Sequence, residues 1–160
     1  MSGQQQELVR RPARRHGAVG AVVVDEQARV LLLEREVLRQ GKWVREIRLP
    51  KGRLQSAEPD ATSALAEVVR LTGFDDIEVV ADLGKAPVEY QARGVAYRRT
   101  EHYFLIRLRS QMKGDPHAPH GKDARAYRPF FTANFDEAAQ AVSFRSEQGA
   151  VLRARAWWPH

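Results

Sequence analysis

A chain of 160 residues, 43% hydrophobic and 29% charged, has the length and balance of one soluble globular domain. Lys and Arg number 26 against 20 Asp and Glu, and the net charge of +6 reads equally as a preference for anionic partners such as nucleotides, polyphosphates or nucleic acid and as a basic surface that only aids solubility. The absence of cysteine excludes disulfides, thiol nucleophiles and cysteine-ligated zinc; no apolar run is long enough to span a membrane, and Met1 to Arg15 lacks the apolar segment of a secretory signal, so a cytoplasmic location is expected.

Residues 1–15 are polar and basic, with Arg10, Arg11, Arg14 and Arg15 close together, and read as a flexible arm ahead of a single domain over 16–160. Ala18 to Val24 is short, apolar and β-branched and predicts a buried strand. Asp25 to Arg29 is a turn, and Val30 to Glu34 completes a hairpin. Val37 to Arg45 reads as a polar connection carrying Trp43, before a short strand Ile47 to Leu49 that ends at Pro50. Pro50 to Arg53 is loop chemistry. Pro59 suits the first turn of a helix, with Ser56 or Glu58 as caps.

Ala61, Ala64, Leu65, Val68 and Leu71 recur at helical spacing, and Gly73 ends that helix. Ile77 to Leu83 predicts a strand, and Val88 to Tyr90 with Tyr97 to Leu108 a hairpin around Arg93-Gly94. Ser110 to Lys122 is a loop. Tyr127 to Phe131 is a last short strand, followed by helices over Phe135 to Val142 and Ser146 to Trp157. The order predicts an α/β (α+β) domain with a mixed β-sheet between helices.

One spacing is specific. Gly52 is followed by five residues and Glu58; after seven more come Ala66-Glu67-Val68, and Gly73-Phe74 close the segment. Gly52, Glu58, Glu67, Gly73 and the apolar Phe74 hold the register of the Nudix box. The chain thus resembles the Nudix (nucleoside diphosphate linked to moiety X) hydrolase family. Leu49-Pro50-Lys51-Gly52 looks like the approach to the box in relatives acting on diadenosine polyphosphates, and Arg99 to Leu105 resembles the strand crossing behind it there. The resemblance runs from about Arg15 to the final helix and implies the Nudix fold. It also implies hydrolysis of a diphosphate bond in a nucleoside-diphosphate-linked compound, with Mg²⁺ or Mn²⁺ held by helical glutamates.

The departures bear on chemistry. The family's Arg before the first helical Glu is Ala66, and its Glu-Glu pair is Arg70-Leu71. Hard cations need oxygen ligands, and residues 67, 70 and 71 share one helical face. The resemblance leaves Glu67 and Glu58 as metal ligands, and activity is expected to be weak or lost. Arg70 also has the i,i+3 spacing to pair with Glu67.

Glu67 reads either as a surviving ligand or base, or as a surface glutamate paired with Arg70. Lys51, Gly52 and Arg53 read as phosphate contacts or as a turn entering the helix. Glu101, on one strand face with Tyr103 and Leu105, reads as an extra catalytic acid or as a surface acid at a strand end. Arg70 and Tyr103 complete the substrate-binding candidates. His117 and His120, near Asp115 and Asp123, offer an adventitious metal site. Trp43, Tyr90, Tyr97 and Tyr127 offer stacking for a base, or packing. Two functions follow: a Nudix hydrolase with a degraded metal site, or a non-catalytic Nudix-fold protein binding a nucleotide, a phosphorylated metabolite or RNA. Trp157 and Trp158 read as docking the last helix or as part of the contact of a possible homodimer.

Overall fold

The structure, a computed structural model, describes residues 14–54, 60–114 and 119–159. The strands are β1 (Arg14–Asp25), β2 (Val30–Arg39), β3 (Lys42–Arg48), β4 (Lys51–Arg53), β5 (Ile77–Ala92), β6 (Val95–Leu108) and β7 (Arg128–Thr132). The helices are α1 (Asp60–Thr72), α2 (Phe135–Ala141) and α3 (Arg145–Trp157). The central path runs β3-β2-β1-β6-β5, with β4 paired to β1 and β7 to β2. Among the described strands only β1 and β6 pair in parallel, from Arg14↔Tyr97 to Asp25↔Leu108. The sheet is therefore mixed, as expected.

The uninterrupted apolar run of β1 is explained by burial on both faces. Val22 and Val24 face one way and pack with Leu32, Tyr103 and Leu105 against α2 and α3 residues such as Ala138 and Val151. Val19, Ala21 and Val23 face the other way, with Phe104 and Ile106, against Ala64 and Val68 of α1. Each fully buried Val or Leu in these layers contributes roughly 1.5–3 kcal/mol. Gly73, at φ 81°, ends α1 in the left-handed conformation that its position beyond the last turn requires.

Three expectations are corrected. Pro50 to Arg53 is not all loop, since Lys51 to Arg53 form β4 against β1. The stretch Val37 to Arg45 is not a connection: β2 continues to Arg39 and β3 starts at Lys42, with Gln40 (φ 50°) and Gly41 (φ 77°) making the two-residue turn. This hairpin extends past the core, so neither face carries the apolar alternation that marks a half-buried strand. Similarly, Ile77 to Leu83 and Val88 to Tyr90 are parts of one strand, β5. Its irregularities fall between Val79 and Ala81 and between Asp82 and Gly84, and its Pro87 sits on a sheet edge, where a missing N–H is tolerated. Arg14 and Arg15, read with the arm, lie in β1; the rest of the arm, and the capping residues Ser56, Glu58 and Pro59, are outside the described residues. No described helix is long and apolar enough to cross a membrane.

Candidate functional site

β4 brings the two sides of the box apart. It pairs with β1 through Ala18↔Arg53, Val19↔Gly52 and Gly20↔Lys51. Strand alternation sends Lys51 and Arg53 to the α3 side of the sheet and leaves Gly52 facing α1. The carboxylate of Glu67 presses on Gly52 so closely that a Cβ there would lie 2.3 Å from Glu67 Cδ. Only glycine allows that approach.

Arg70 occupies the remaining space on this face of α1. Its Nη2 is 2.8 Å from Glu67 Oε2, and its Nη1 and Nη2 donate to Asp123 Oδ1 and Oδ2 at 2.7 and 2.9 Å. The Arg70 guanidinium holds the Asp123 carboxyl below its ordinary value. Leu71, 1% exposed, packs with Leu33 and Ala124. The segment from His120 to Ala126 thus covers the face: His120 N–H bonds to the Arg70 carbonyl, Asp123 grips its guanidinium, and Ala124 buries Leu71.

This donor set does not fit a hard divalent cation. Glu67 and Asp123, the two carboxylates at hand among the described residues, share one fixed positive charge, and a cation brought there meets a guanidinium first. Among the described residues no three His, Asp or Glu side chains converge as a metal cluster. Glu58, the other expected ligand, lies outside the described residues, as do Asp115 and His117.

On the α3 side, the Lys51 side chain is 5% exposed. Its Nζ lies 2.8 Å from Glu147 Oε2 and 3.2 Å from Glu101 Oε2. Glu101 is fully buried, which corrects the reading of a surface acid at a strand end. Its residue pattern, with Tyr103 and Leu105 on one face, places it in the core layer next to α3. Burial opposes its charged form; Lys51, the Tyr103 hydroxyl at 2.5 Å and Arg99 at 2.6 Å together outweigh it and hold the carboxyl below the usual Glu value. Burial, with Glu147 and Glu101 alongside, pushes the Tyr103 hydroxyl well above its usual value. Glu147 also accepts the Leu49 N–H at 2.5 Å, which fixes the turn into the box from the far helix.

A cleft of about 470 Å³ opens over these residues, lined by Arg48, Lys51, Gly52, Arg53, Arg99, Tyr90 and Tyr97, with Ala18 and Ala92. Arg48, Lys51 and Arg99 together carry one positive charge more than Glu101 and Glu147, and exposed Arg53 adds another. Arg48 Nε and Arg99 Nε are buried donors with no acceptor among the described residues. Buried N–H groups ordinarily have a partner, so these two stand out beside the cleft. Tyr90 and Tyr97 sit directly opposite across β5 and β6 and stack at 5.2 Å, 12° from parallel, with the Arg99 guanidinium over the Tyr90 ring.

The sequence candidates therefore divide between two places. Glu67, Gly52 and Arg70 meet on the α1 face; Lys51, Arg53, Glu101 and Tyr103 gather on the α3 face, with the Lys51 ammonium and the Tyr103 hydroxyl turned to buried carboxylates. Trp43 is 72% exposed and away from the cleft, and Tyr127 bonds Arg48 Nη1 through its hydroxyl. Sequence reasoning missed Arg48, Arg99 and Glu147. The last left a signal: Glu147 begins the buried stripe Glu147, Ala150, Val151, Ala154 of α3, where a carboxylate needs a reason.

A mixed sheet covered by helices on both faces, with a basic, aromatic-edged cleft, defines an α/β domain. The chain belongs to the NUDIX family: the model of the NUDIX domain matches residues 14–154. Among solved structures it is similar to a NUDIX hydrolase from Nitrosomonas europaea (TM-score 0.64, 19% identity, 90% of each chain covered). It is similar also to a C. elegans Ap4A hydrolase, solved as a binary complex (TM-score 0.60, 16% identity, covering 89% of this chain and 96% of that one). No curated protein matches its sequence significantly.

Proposed function

We propose that this NUDIX-family chain binds a nucleotide or other phosphorylated small molecule in the Arg48–Arg53–Arg99 cleft, and that diphosphate hydrolysis is weak or lost. The observation that carries this reading is the ion-paired Arg70, set between Glu67 and Asp123 where the family's box would supply carboxylates. Arg53, with the Arg48 and Arg99 side chains that also line the cleft, suits phosphate oxygens. The exposed Tyr90 edge suits a base. The fold likeness to an Ap4A hydrolase makes dinucleoside polyphosphates the first compounds to try, and a cytoplasmic setting accords with that ligand class.

The test is a panel of nucleoside-diphosphate-linked compounds assayed with Mg²⁺, with Mn²⁺ and with chelator, beside Glu67→Gln. Binding that persists in chelator without turnover is expected. Metal-dependent turnover abolished by Glu67→Gln overturns the loss of catalysis. RNA is the alternative ligand; it is distinguished by affinity that rises with oligonucleotide length and falls steeply with salt.

A further inference from the structure

The hairpin β2–β3 stands past the core and carries exposed apolar side chains: Leu38 at 54%, Trp43 at 72% and Val44 at 44% exposure. β3 is also the end of the sheet path, with β2 as its one strand neighbour among the described residues. Its outward backbone groups can be assigned. Ile47 donates its N–H to Ser143 Oγ at 2.9 Å and accepts the Ser143 N–H at 2.8 Å, so its backbone points away from β2. Strand hydrogen bonding alternates; Arg45 and Trp43, at two-residue steps from Ile47, present their N–H and C=O groups the same way. An open edge with exposed apolar side chains is a template for another strand.

We infer that a second copy of this chain pairs antiparallel on β3, about a two-fold axis at Val44. That register sets Trp43 opposite Arg45 of the second copy, and Arg45 opposite Trp43, so both outward residues exchange N–H and C=O bonds. The side chains agree with the backbone. Trp43 and Arg45 are on one face of the hairpin, so each indole lies beside the other copy's arginine, with Leu38 next to it across the hairpin. On the other face Val44 meets its own symmetry mate, flanked by Val37, and Lys42 stands opposite Glu46, whose carboxylate Arg35 and Arg39 of its own hairpin already hold. An isologous contact demands this self-complementarity. Any shift by one residue sets Trp43 against Val44 on opposite faces and loses the match. The cleft, on the α3 side with Arg48 as its one β3 residue, lies beyond the paired segment Lys42 to Glu46.

Because the paired segment is short, association is expected to be weak and concentration-dependent. The experiment is sedimentation velocity over a concentration series, into the high micromolar range, on the full chain and three variants. Wild type is expected to approach twice the 18.1 kDa chain mass. Val44→Lys and Val44→Glu, each facing its own like charge across the axis, are expected to be monomeric with unchanged circular dichroism; mixed, they are expected to dimerise again. Trp157→Lys, on the exposed part of α3, leaves the dimer intact. A monomeric wild type at every concentration overturns the inference. So does a dimer that survives Val44→Lys, or one that Trp157→Lys abolishes. Should either Val44 variant fail to fold, Trp43→Lys replaces it, with loss of the dimer expected.

Discussion

Arg70 and Glu67, one turn apart on α1, form a forked ion pair: Nη2 lies 2.8 Å from Oε2 and Nε 3.1 Å from Oε1. The same guanidinium takes both oxygens of Asp123, from a segment 53 residues away. One side chain thus neutralises the surviving box glutamate and ties down the segment covering it.

Arg70→Gln removes that cation and leaves Glu67 and Asp123 facing each other. Mn²⁺ binding, followed by electron paramagnetic resonance, is expected to be absent or non-saturable in wild type and saturable in Arg70→Gln. Equal titrations for the two proteins would show that Arg70 does not govern the site. Since Asp123 is half exposed, the lost pairing is expected to cost only about 1 kcal/mol in urea denaturation.

Restoring the second missing carboxylate has a different cost. Leu71 is core here, enclosed by Leu33 and Ala124. Leu71→Glu places a charge among apolar side chains and is expected to destabilise the fold by roughly 2–5 kcal/mol. A urea midpoint unchanged from wild type would refute that placement.

Lys51 sits 5% exposed between two fully buried carboxylates. Lys51→Met removes the ammonium closest to Glu147 and leaves Glu101 with Arg99 as its remaining cation, and removal of one partner from such a buried group typically costs about 3–5 kcal/mol. Combining it with Glu147→Gln is expected to recover part of the loss, since one buried charge goes too. A strictly additive double variant, measured by urea denaturation, would mean the groups are not coupled.

The lowered Glu101 carboxyl has a pH consequence with a definite sign. Its folded value lies below its unfolded value, about 4.3. The stabilisation is therefore complete above that pH and is lost as pH falls through the folded value. Below about pH 4, wild type is expected to lose its stability advantage over Glu101→Gln. Parallel stability profiles for the two proteins between neutral and acid pH would contradict this.

For the cleft, Arg99→Ala removes a donor and a partner of Glu101, and Arg53→Ala removes an exposed charge without touching the buried network. Arg53→Ala is expected to weaken nucleotide binding by about tenfold, with a shallower salt dependence. Calorimetry at two salt concentrations checks it. An Arg53→Ala protein that binds like wild type would place the ligand elsewhere.

The sequence by itself determined the layers and the box. The β-branched run at Ala18 to Val24 can be buried only on both faces, the spacing of Ala64, Val68 and Leu71 makes one helical stripe, and Gly73 must take a left-handed turn; each is a local rule. It also determined that residues 67 and 70 would meet, because helical geometry fixes neighbours three apart. Tertiary structure decided what local rules cannot reach. Glu101 and Lys51 are 50 residues apart, and Glu147 comes from a helix beyond both; whether such charges face water or one another depends on which elements pack. The same holds for Asp123 closing over Arg70, and for the β2–β3 hairpin. Its mixed side chains carry no period, because no core lies beneath them to impose one.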